Sequence, residues 1–431
     1  MLIPEFSFQW LTTRDAQCSL LRRLSTVGLV SVSLLTHQLQ ELAPLDQKPQ
    51  DLTLKTSLLD TRTLLGPFSI EMLEIITMWL DQGIKKVLID TVSSEDVDLE
   101  RVVIAVSELP ANRVIVRLPV SSLDSNQVMK LAENLNEIED YCKWKSVDEG
   151  YFFAVEMSTG PREGYHYESV FAKIKELHHK NIHIVAPGYC YEEGEKKRDL
   201  VMGDGQVVVD AALSFVQCLR TDRPDGLFTT VVADEAGIAL GLVYSSAESI
   251  VAALESGRGV YYSRSRGGLW KKGESSGNAQ SLIQIDMDCD SDALRFTVNQ
   301  TGAGFCHLNT RTCWGHDGGL RALENMLSSR HENAPAGSYT KRLFEDAELL
   351  RNKLVEEAQE LAEAESISDV AGEAADVMYF AMVRCVAAGC KLSDVEKMLD
   401  KRALKVKRRP GNSKAYRIAA ANEILNTKDD S

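Results

Sequence analysis

Residues 261–314 read YYSRSRGGLWKKGESSGNAQSLIQIDMDCDSDALRFTVNQTGAGFCHLNTRTCW, and this stretch holds more reactive side chains than packing requires. It contains three cysteines, one histidine and a run of alternating aspartates, preceded by a basic loop rich in glycine. Cysteine, histidine and aspartate are the side chains from which proteins build metal sites. The stretch therefore predicts a metal-dependent site.

The aspartates Asp288, Asp290 and Asp292 follow residues 282–287, in which apolar and polar residues alternate. Alternation predicts a strand, and a strand that continued would place all three carboxylates on one face. Like charges so close repel, and a hard cation such as magnesium relieves the repulsion. A calcium-binding EF-hand loop is excluded, because its required glycine and glutamate are replaced by alanine and asparagine. A solvated acidic strand end is the alternative.

Three cysteines, Cys289, Cys306 and Cys313, lie in or after the aspartate run, with His307 beside the second. In a continued strand Cys289 would face away from the aspartates. Three thiolates leave one position of tetrahedral zinc open, which is the catalytic arrangement. The spacing is not that of a zinc ribbon, so three buried cysteines are the alternative. His307 could be a fourth ligand, a general base or a core histidine, and we favour the base.

The basic loop carries Arg264, Arg266, Lys271 and Lys272 among four glycines. Glycines let backbone N–H groups approach an anion, and guanidinium groups bind phosphate through two hydrogen bonds. The pattern is compatible with phosphate binding. An ordinary β-hairpin with basic side chains is the alternative and, for the loop in isolation, the more common one.

Three motifs, YYSRSRGGLWKKGESSGNAQ, DCDSD and CHLNTRTCW, resemble those of phosphoribosyl-AMP cyclohydrolases of histidine biosynthesis. The resemblance covers residues 225–315. It implies zinc at Cys289, Cys306 and Cys313, and an obligate dimer that shares the zinc ligands between subunits. It also implies magnesium at the three aspartates.

The reaction implied by this resemblance is hydrolytic opening of the adenine six-membered ring of phosphoribosyl-AMP. Zinc lowers the pKa of bound water to about 7, so that hydroxide can attack the ring carbon. His307 would then move the proton. The side chains expected to contact substrate are Arg264, Arg266, Trp270, Lys272, Glu274 and Ser275.

The composition bounds the class of protein. At 431 residues the chain is long enough for two or three domains, and its apolar content of 44% supports buried cores. A net charge of −15 argues against a nucleic-acid partner. Nine cysteines without a framework pattern predict a reduced, cytoplasmic compartment. No apolar run has membrane length and the start has no apolar signal core, so we expect neither a membrane partner nor a leader.

Residues 1–222 alternate between helix and strand patterns, which predicts an α/β extension with a mainly parallel sheet, open or closed as a barrel. The segment SIEMLEIITMWLDQG is expected to be a helix that ends at Gly83. Asp90 and Gly188 fall at strand ends, where sites of such folds usually lie. The neighbouring His178, His179 and His183 most simply form a solvated helix end. The extension resembles the amino-terminal part of the fungal multifunctional histidine-biosynthesis enzyme, and its role does not follow from the sequence.

Pro224 and Gly226 interrupt the chain and predict a domain boundary. Residues 223–316 are expected to form a β-rich α+β domain, with a helix capped by Ser246 and ended by Gly257. From residue 319 onward four helical segments predict an all-α bundle over 319–412, followed by a tail over 413–431.

Two acidic pairs stand out in the helical region. Glu357 and Glu360 are three residues apart and share a helix face, as do Glu373 and Asp376. Glu357 lies on the apolar side of its helix, where a carboxylate is costly unless it is paired or bound to metal. Two antiparallel helices would bring both pairs together around magnesium. A glutamate-rich solvated helix face is the alternative.

The motifs KLVEEAQE and EAADVMYF, together with SYTKRLFEDAELL, resemble those of phosphoribosyl-ATP pyrophosphohydrolases of the all-α nucleotide pyrophosphohydrolase class. The resemblance covers residues 319–409. It implies magnesium at the four acidic residues and release of pyrophosphate with formation of phosphoribosyl-AMP. Glu357 and Asp376 are expected to be catalytic, with Lys353 and Glu356 beside them.

The sequence thus predicts a bifunctional hydrolase whose carboxy-terminal domain acts first. One rival is a housekeeping pyrophosphatase for ordinary nucleoside triphosphates, which the SYTKRLF motif disfavours. Another is an interaction scaffold with structural zinc, which the aspartates beside the cysteines disfavour. The fungal relative continues into a histidinol dehydrogenase domain, and we expect that third activity to be absent from this chain or to have been cut away.

Overall fold

The computed structural model describes residues 2–7, 26, 30–33, 62–90, 109–118, 152–156, 182–187, 211–315, 318–335, 337–406 and 419. The contacts divide the chain into two compact units, the first running to Cys313 and the second spanning Trp314–Ala403. Among the residues singled out above, His178, His179 and Gly188 lie outside the described part. His183 lies in the strand Ile182–Pro187 and not at a helix end, and its side chain is not described.

The amino-terminal extension forms a closed barrel of parallel strands. Each described strand pairs with the next along the chain, and the seventh pairs back with the first. The strands are β1 Leu2–Ser7, β2 Val30–Ser33, β3 Thr63–Ser69, β4 Lys86–Asp90, β5 Val114–Leu118, β6 Phe152–Glu156 and β7 Ile182–Pro187. The sequence was compatible with an open sheet or a barrel, and the structure shows a closed barrel.

Helix α1, Leu73–Gln82, connects β3 to β4 and confirms the helix predicted there. It ends at Gly83, which adopts a left-handed backbone (φ 107°) and donates its N–H to the carbonyl of Leu80. Glycine suits this position because it has no Cβ to oppose positive φ. Ile76 and Trp79 are fully buried among the core of the barrel region. At the end of β4, Asp90 accepts a hydrogen bond from Nε of Arg117 at 2.8 Å.

The first unit also contains a six-stranded mixed sheet. Its strands are β8 Phe228–Ala233, β9 Ala239–Ser245, β10 Val260–Ser263, β11 Gly268–Lys271, β12 Gln280–Met287 and β13 Ala293–Gln300. They lie in the order β11–β10–β9–β8–β13–β12, in which the pair β13–β8 is parallel and the other neighbours are antiparallel.

Two helices, α2 Ala211–Gln217 and α3 Ala247–Ser256, accompany this sheet. Ser246 and Ser249 exchange hydrogen bonds of 3.1 and 2.9 Å at the start of α3, and Gly257 ends it, as predicted. Phe215 of α2 and the following Leu219 are buried in the same core as Phe296 of β13. The core of the sheet therefore extends amino-terminal to residue 222.

The second unit is helical. Its helices are α4 Gly319–Asn333, α5 Tyr339–Glu345, α6 Ala347–Glu363, α7 Ile367–Ala387 and α8 Leu392–Ala403. Four helical segments were predicted and five helices are described, because a break at Asp346 separates α5 from α6. Asp346 accepts a hydrogen bond of 2.9 Å from the N–H of Leu349 and so caps α6.

The core of the helical unit joins all five of these helices. Its buried side chains are Leu327, Leu343, Leu350, Phe380, Met382, Val383 and Leu392. Leu350 of α6 and Phe380 of α7 hold the two helices that carry the acidic pairs. Within the described ranges, no helix combines the length and apolar character needed to cross a bilayer.

Candidate active sites

The aspartate run of the first unit lies in a turn. Strand β12 ends at Met287, so the prediction of a strand continuing through all three aspartates is wrong. Asp288 pairs with Ala293 through a backbone hydrogen bond of 3.0 Å, and its Oδ1 accepts from the N–H groups of Asp292 and Ala293 at 2.9 and 3.0 Å. Ser291 has a left-handed backbone, with φ of 67°. The chain reverses here because β12 and β13 form an antiparallel hairpin.

The turn nevertheless brings the three carboxylates together. Asp288, Asp290 and Asp292 each offer an oxygen within 4.8 Å of the other two, and all three side chains are exposed. The charge of Asp290, followed by that of Asp288, raises the pKa of Asp292. A divalent cation would remove this repulsion, and an all-oxygen ligand set suits magnesium. The residues fit a magnesium ion.

The loop that carries the other two cysteines is held by backbone and ionic contacts. Phe305 donates its N–H to Arg311 at 3.0 Å, and Cys306 donates to Thr310 at 3.1 Å. The guanidinium of Arg311 forms a salt bridge with fully buried Asp234. Cys313 is fixed by its N–H, which donates to the carbonyl of Leu240 in β9 at 2.8 Å.

This loop places the thiols of Cys306 and Cys313 beside each other. Hydrogen bonds from the Leu308 backbone and the Thr310 side chain lower the pKa of Cys306. Burial, followed by the charge and hydrogen bond of Cys306, raises the pKa of Cys313. One chain therefore brings together two thiols that fit a zinc ion.

Cys289 does not join this thiol pair within one chain. Among the described residues, the groups of three or more ligand side chains are both purely acidic. Cys289 is exposed in the acidic turn, and the expectation that strand alternation separates it from the aspartates fails together with the strand. A tetrahedral zinc site with three cysteines would thus need a ligand from elsewhere.

Two cationic or basic side chains border the thiols. Lys272 donates from Nζ to the carbonyl of Phe305 at 2.6 Å. Burial lowers the pKa of Lys272, whereas the charges of Cys313 and Cys306 raise it. His307 is exposed, and its Nδ1 lies 3.9 Å from Sγ of Cys306. Both side chains can interact with a group bound at the thiols.

The other residues of the basic loop divide into packed and exposed side chains. The guanidinium of Arg264 lies 4.0 Å from the ring centroid of Tyr244, an attractive cation–π contact. Trp270 packs against Tyr261, with ring centroids 5.9 Å apart. Three further predicted substrate contacts, Arg266, Glu274 and Ser275, are exposed to solvent.

Several supporting residues were not found from the sequence. A Cβ at Gly241 would lie 2.2 Å from the Phe305 ring and 3.1 Å from Sγ of Cys313, so only glycine fits there. Asn278 is buried and accepts from the N–H of Ala303 at 2.9 Å, which ties the basic loop to the chain before Cys306. The one feature of the sequence that could have indicated this close packing is Gly241 itself, an isolated glycine inside a strand pattern.

The second candidate site lies between α6 and α7. Glu357, Glu360 and Glu373 each offer an oxygen within 4.8 Å of the other two. Glu357 is only 6% exposed, in agreement with its position on the apolar side of α6. Asp376 is exposed and stands outside this group, although its charge acts on Glu373. Three of the four predicted acidic ligands therefore converge.

A lysine, Lys353, lies among the acidic side chains of this group and next to it. Lys353 forms salt bridges of 2.9 Å with Glu357 and 3.1 Å with Glu356, and the hydrogen bond to Glu357 is the main cause that raises the pKa of Lys353. Burial and then the Glu360 charge raise the pKa of Glu373. One ammonium thus neutralises part of the site, and the remaining acidic oxygens fit a divalent cation.

A buried ion pair supports α8, and the sequence analysis missed it. Arg321 donates from Nη1 to Glu324 at 2.6 Å, and the other oxygen of Glu324 accepts from the N–H of Leu392 at 2.7 Å. Glu324 therefore caps the start of α8 from α4. A helix start bound by a residue distant in sequence leaves no local signal.

Models of two known protein families match this sequence. The model of the phosphoribosyl-AMP cyclohydrolase family matches residues 241–315, and that of the phosphoribosyl-ATP pyrophosphohydrolase family matches residues 320–403. The first range contains the acidic turn and the thiol pair, and the second contains the glutamate group.

Curated proteins with related sequences carry matching names. The histidine biosynthesis bifunctional protein his7 of Schizosaccharomyces pombe is 57% identical over 195 residues, which are 45% of this chain and 46% of that protein. The histidine biosynthesis trifunctional protein of Saccharomyces cerevisiae is 54% identical over 197 residues, which are 46% of this chain and 25% of that protein. The chain thus spans a quarter to about half of these fungal relatives.

A shorter bacterial relative is matched over nearly its whole length. The histidine biosynthesis bifunctional protein HisIE of Bacteroides thetaiotaomicron is 34% identical over 197 residues, which are 43% of this chain and 95% of that protein. The chain therefore belongs to the family of bifunctional histidine biosynthesis proteins that combine a phosphoribosyl-AMP cyclohydrolase domain with a phosphoribosyl-ATP pyrophosphohydrolase domain.

Proposed function

We propose that this chain catalyses two consecutive hydrolyses. The first cleaves phosphoribosyl-ATP to phosphoribosyl-AMP and pyrophosphate, and the second opens the adenine ring of phosphoribosyl-AMP. The observation that carries this proposal is the presence of two separate carboxylate groups, one inside each region that a family model matches.

The helical unit performs the first step in this proposal. Glu357, Glu360 and Glu373 would hold magnesium, and Asp376, three residues after Glu373, would extend the ligand set. Magnesium, when bound, supplies charge neutralisation for the phosphate groups. Lys353 orients the buried Glu357 through its 2.9 Å salt bridge. Glu357 and Asp376 are the residues to which we assign catalysis, as acceptors that orient and deprotonate the attacking water.

The first unit performs the second step. Cys289, Cys306 and Cys313 would hold zinc, which supplies Lewis-acid activation of water near neutral pH. Lys272 favours the thiolate forms of Cys306 and Cys313 through its charge. His307, exposed next to Cys306, is assigned as the group that moves the proton between water and the ring.

The remaining groups of that unit bind and orient the substrate. Asp288, Asp290 and Asp292 would hold magnesium, which would supply positive charge for the phosphate of phosphoribosyl-AMP. Arg264 is pre-oriented by its stacking on Tyr244 and can form two hydrogen bonds with phosphate. We assign further contacts with the substrate to Arg266, Trp270, Lys272, Glu274 and Ser275.

The zinc ligands also support a homodimer. Cys306 and Cys313 lie together in one chain and Cys289 lies elsewhere, so a second copy of the chain could complete the set. We propose such a dimer, acting on small nucleotide substrates in the cytoplasm.

The test is a comparison of substrates with the full chain. Phosphoribosyl-ATP and ordinary nucleoside triphosphates are supplied with magnesium, and pyrophosphate release and adenine ring opening are followed, the latter by ultraviolet absorbance. We expect both signals with phosphoribosyl-ATP and neither with ordinary triphosphates. Pyrophosphate release from ordinary triphosphates without ring opening of phosphoribosyl-AMP would instead indicate a housekeeping pyrophosphatase.

A further inference from the structure

The acidic turn adjoins an edge strand of the six-stranded sheet. β12 is the last strand in the order of that sheet, so one side of its backbone has no partner strand within the sheet, apart from an isolated bridge between Ser281 and Arg258 near its start. Exposed strand edges present free N–H and C=O groups, and proteins usually cover them. Asp288 follows directly after the end of β12, so whatever covers β12 also constrains the turn.

Two contacts show that the amino-terminal extension covers this edge. The carbonyl of Thr26 accepts a hydrogen bond of 2.9 Å from the N–H of Ile285 in β12. The guanidinium of Arg62, one residue before strand β3 of the barrel, forms a salt bridge with Asp286. Both side chains of this pair are about three-quarters buried, at 24% and 23% exposed, so solvent screens the pair less than an exposed one.

A third contact holds the turn itself. The N–H of Arg220, in the segment after α2, donates to the carbonyl of Ser291 at 2.8 Å. Ser291 is 2% exposed and is the residue with the left-handed backbone. The acidic turn is therefore held at Asp286, just before it, and at Ser291, within it, in both cases by residues that precede the sheet.

We propose that the amino-terminal extension positions the acidic turn for cation binding, with Arg62 as the positioning residue. Arg62 holds the end of β12 through Asp286, and this fixes the backbone from which the carboxylates converge. The inference assigns a role to the extension and rests on the proposed function only in taking the turn as a cation site.

Arg62 is suited to a test because Asp286 has other partners. Asp286 also accepts from Arg295 at 3.0 Å and from Gln284 at 2.7 Å, both within the sheet. Removing Arg62 therefore leaves no unpaired buried charge, and the sheet should remain folded. Substitution of Arg62 therefore removes only the salt bridge between the amino-terminal extension and strand β12.

The first experiment is hydrogen exchange on the metal-free full chain with Arg62→Gln. The N–H groups of Asp292 and Ala293 are bonded to Asp288 and report directly on closure of the turn. We expect them to exchange roughly tenfold faster than in the wild type, the scale of one lost charged hydrogen bond. Arg117→Gln is the control, because it breaks the pair with Asp90 inside the barrel and leaves β12 untouched.

The second experiment is titration of the same proteins with Mn²⁺ as the probe, with Asp290→Asn marking the contribution of the turn. Arg62→Gln should weaken binding at the turn roughly tenfold, Arg62→Lys should recover part of it, and Arg117→Gln should match the wild type. If Arg62→Gln fails to fold, the comparison of Arg62→Lys with Arg117→Gln takes its place.

The outcomes separate this inference from the proposed function. Unchanged exchange at Asp292 and Ala293 in Arg62→Gln, together with unchanged Mn²⁺ affinity, would overturn the positioning role. Faster exchange in a protein whose wild type binds no Mn²⁺ at the turn would instead keep the positioning role and remove the cation site from the proposed function.

Discussion

The two candidate sites gather carboxylates by opposite means. In the acidic turn, Asp288, Asp290 and Asp292 lie within five residues and are all exposed. In the helical unit, Glu357 and Glu360 come from α6 and Glu373 from α7, and Glu357 is buried. The first group depends on hydrogen bonds of one turn, whereas the second depends on how two helices pack.

The difference also extends to how the like charges are tolerated. At the turn, the neighbouring carboxylates are the main cause that raises the pKa of Asp292. At the helices, burial is the main cause for Glu373, and Lys353 neutralises part of the group. Solvent and salt can therefore reduce the repulsion at the turn, whereas at the helical site the buried Glu357 depends on the packing of the two helices.

The largest effect should come from the thiol pair, and it tests whether the two sites are independent. Cys306→Ser removes one of the two thiols that one chain brings together, so bound zinc and ring opening of phosphoribosyl-AMP should both be lost. Pyrophosphate release from phosphoribosyl-ATP should continue. Zinc content by metal analysis and the two activities are measured on one preparation.

The matched control is Cys390→Ser, which changes a partly exposed cysteine of the helical unit. It should retain zinc and both activities. Ring opening at the wild-type rate in Cys306→Ser would show that the thiols are not the metal site.

The second effect concerns the helical site. Glu357→Gln removes one charge with little change in volume and should slow pyrophosphate release by about 10²–10³-fold, because electrostatic stabilisation is usually the largest catalytic contribution. Ring opening of supplied phosphoribosyl-AMP should be unchanged. Initial rates of both reactions are compared.

Glu363→Gln makes the same change in the last turn of the same helix and lies outside the glutamate group, so its rates should match the wild type. Equal rates for Glu357→Gln and Glu363→Gln would mean that the glutamates form a solvated helix face.

The third prediction tests whether the thiol site, although a loop builds it, also depends on packing. In Gly241→Ala, the new Cβ would meet the Phe305 ring at 2.2 Å, so the loop that carries Cys306 and Cys313 must move. Ring opening should fall roughly tenfold or more, and the first unit should unfold at a lower temperature, since overpacking typically costs about 1–3 kcal/mol. Calorimetry and the ring-opening rate check this.

Gly318→Ala adds a Cβ that meets no atom within 4 Å and should leave ring opening unchanged. The steric explanation fails if both variants show the same rate.

The smallest effect distinguishes the two causes of the raised pKa values, which are neighbouring charges at Asp292 and burial at Glu373. A carboxyl whose pKa is raised in the folded protein binds its proton more tightly there than in the unfolded chain, so its ionisation costs stability above the ordinary pKa. Without divalent cations, Glu373→Gln and Asp292→Asn should therefore both raise the melting temperature at about pH 7, and the gain should vanish only below the ordinary carboxyl pKa values, near about pH 3.

Salt separates the two variants. The gain from Asp292→Asn should shrink at about 1 M salt because neighbouring charges cause it, whereas that from Glu373→Gln should persist because burial is its first cause. Melting temperatures at low and high salt test the distinction, which would be refuted by equal salt dependence.

The helical site was more predictable than the turn for a geometric reason. The spacing of Glu357, Glu360 and Glu373 on regular helices determines which face each side chain occupies, and the structure brings these three together. The break at Asp346 was missed because its capping hydrogen bond interrupts a pattern that otherwise continues across it.

In the first unit, periodicity predicted β12 but placed its end too late. The alternation of aspartates imitates a strand, while hydrogen bonds to Asp288 close a turn. The proximity of Cys306 and Cys313 depends on Asp234, Gly241 and the backbone of β9, which are distant in sequence. Such contacts leave no periodic signal, so spacing alone left a zinc site and three buried cysteines as alternatives, and the family resemblance implied the zinc site.

The central claim is that two separate sites act in sequence, and a time course with phosphoribosyl-ATP tests it most directly. Pyrophosphate and the ring-opened product are quantified together after substrate is added to the full chain with zinc and magnesium. The account predicts that pyrophosphate appears without delay and that ring opening follows after a lag, which disappears when phosphoribosyl-AMP is supplied instead. Ring opening that precedes or occurs without pyrophosphate release would contradict the account.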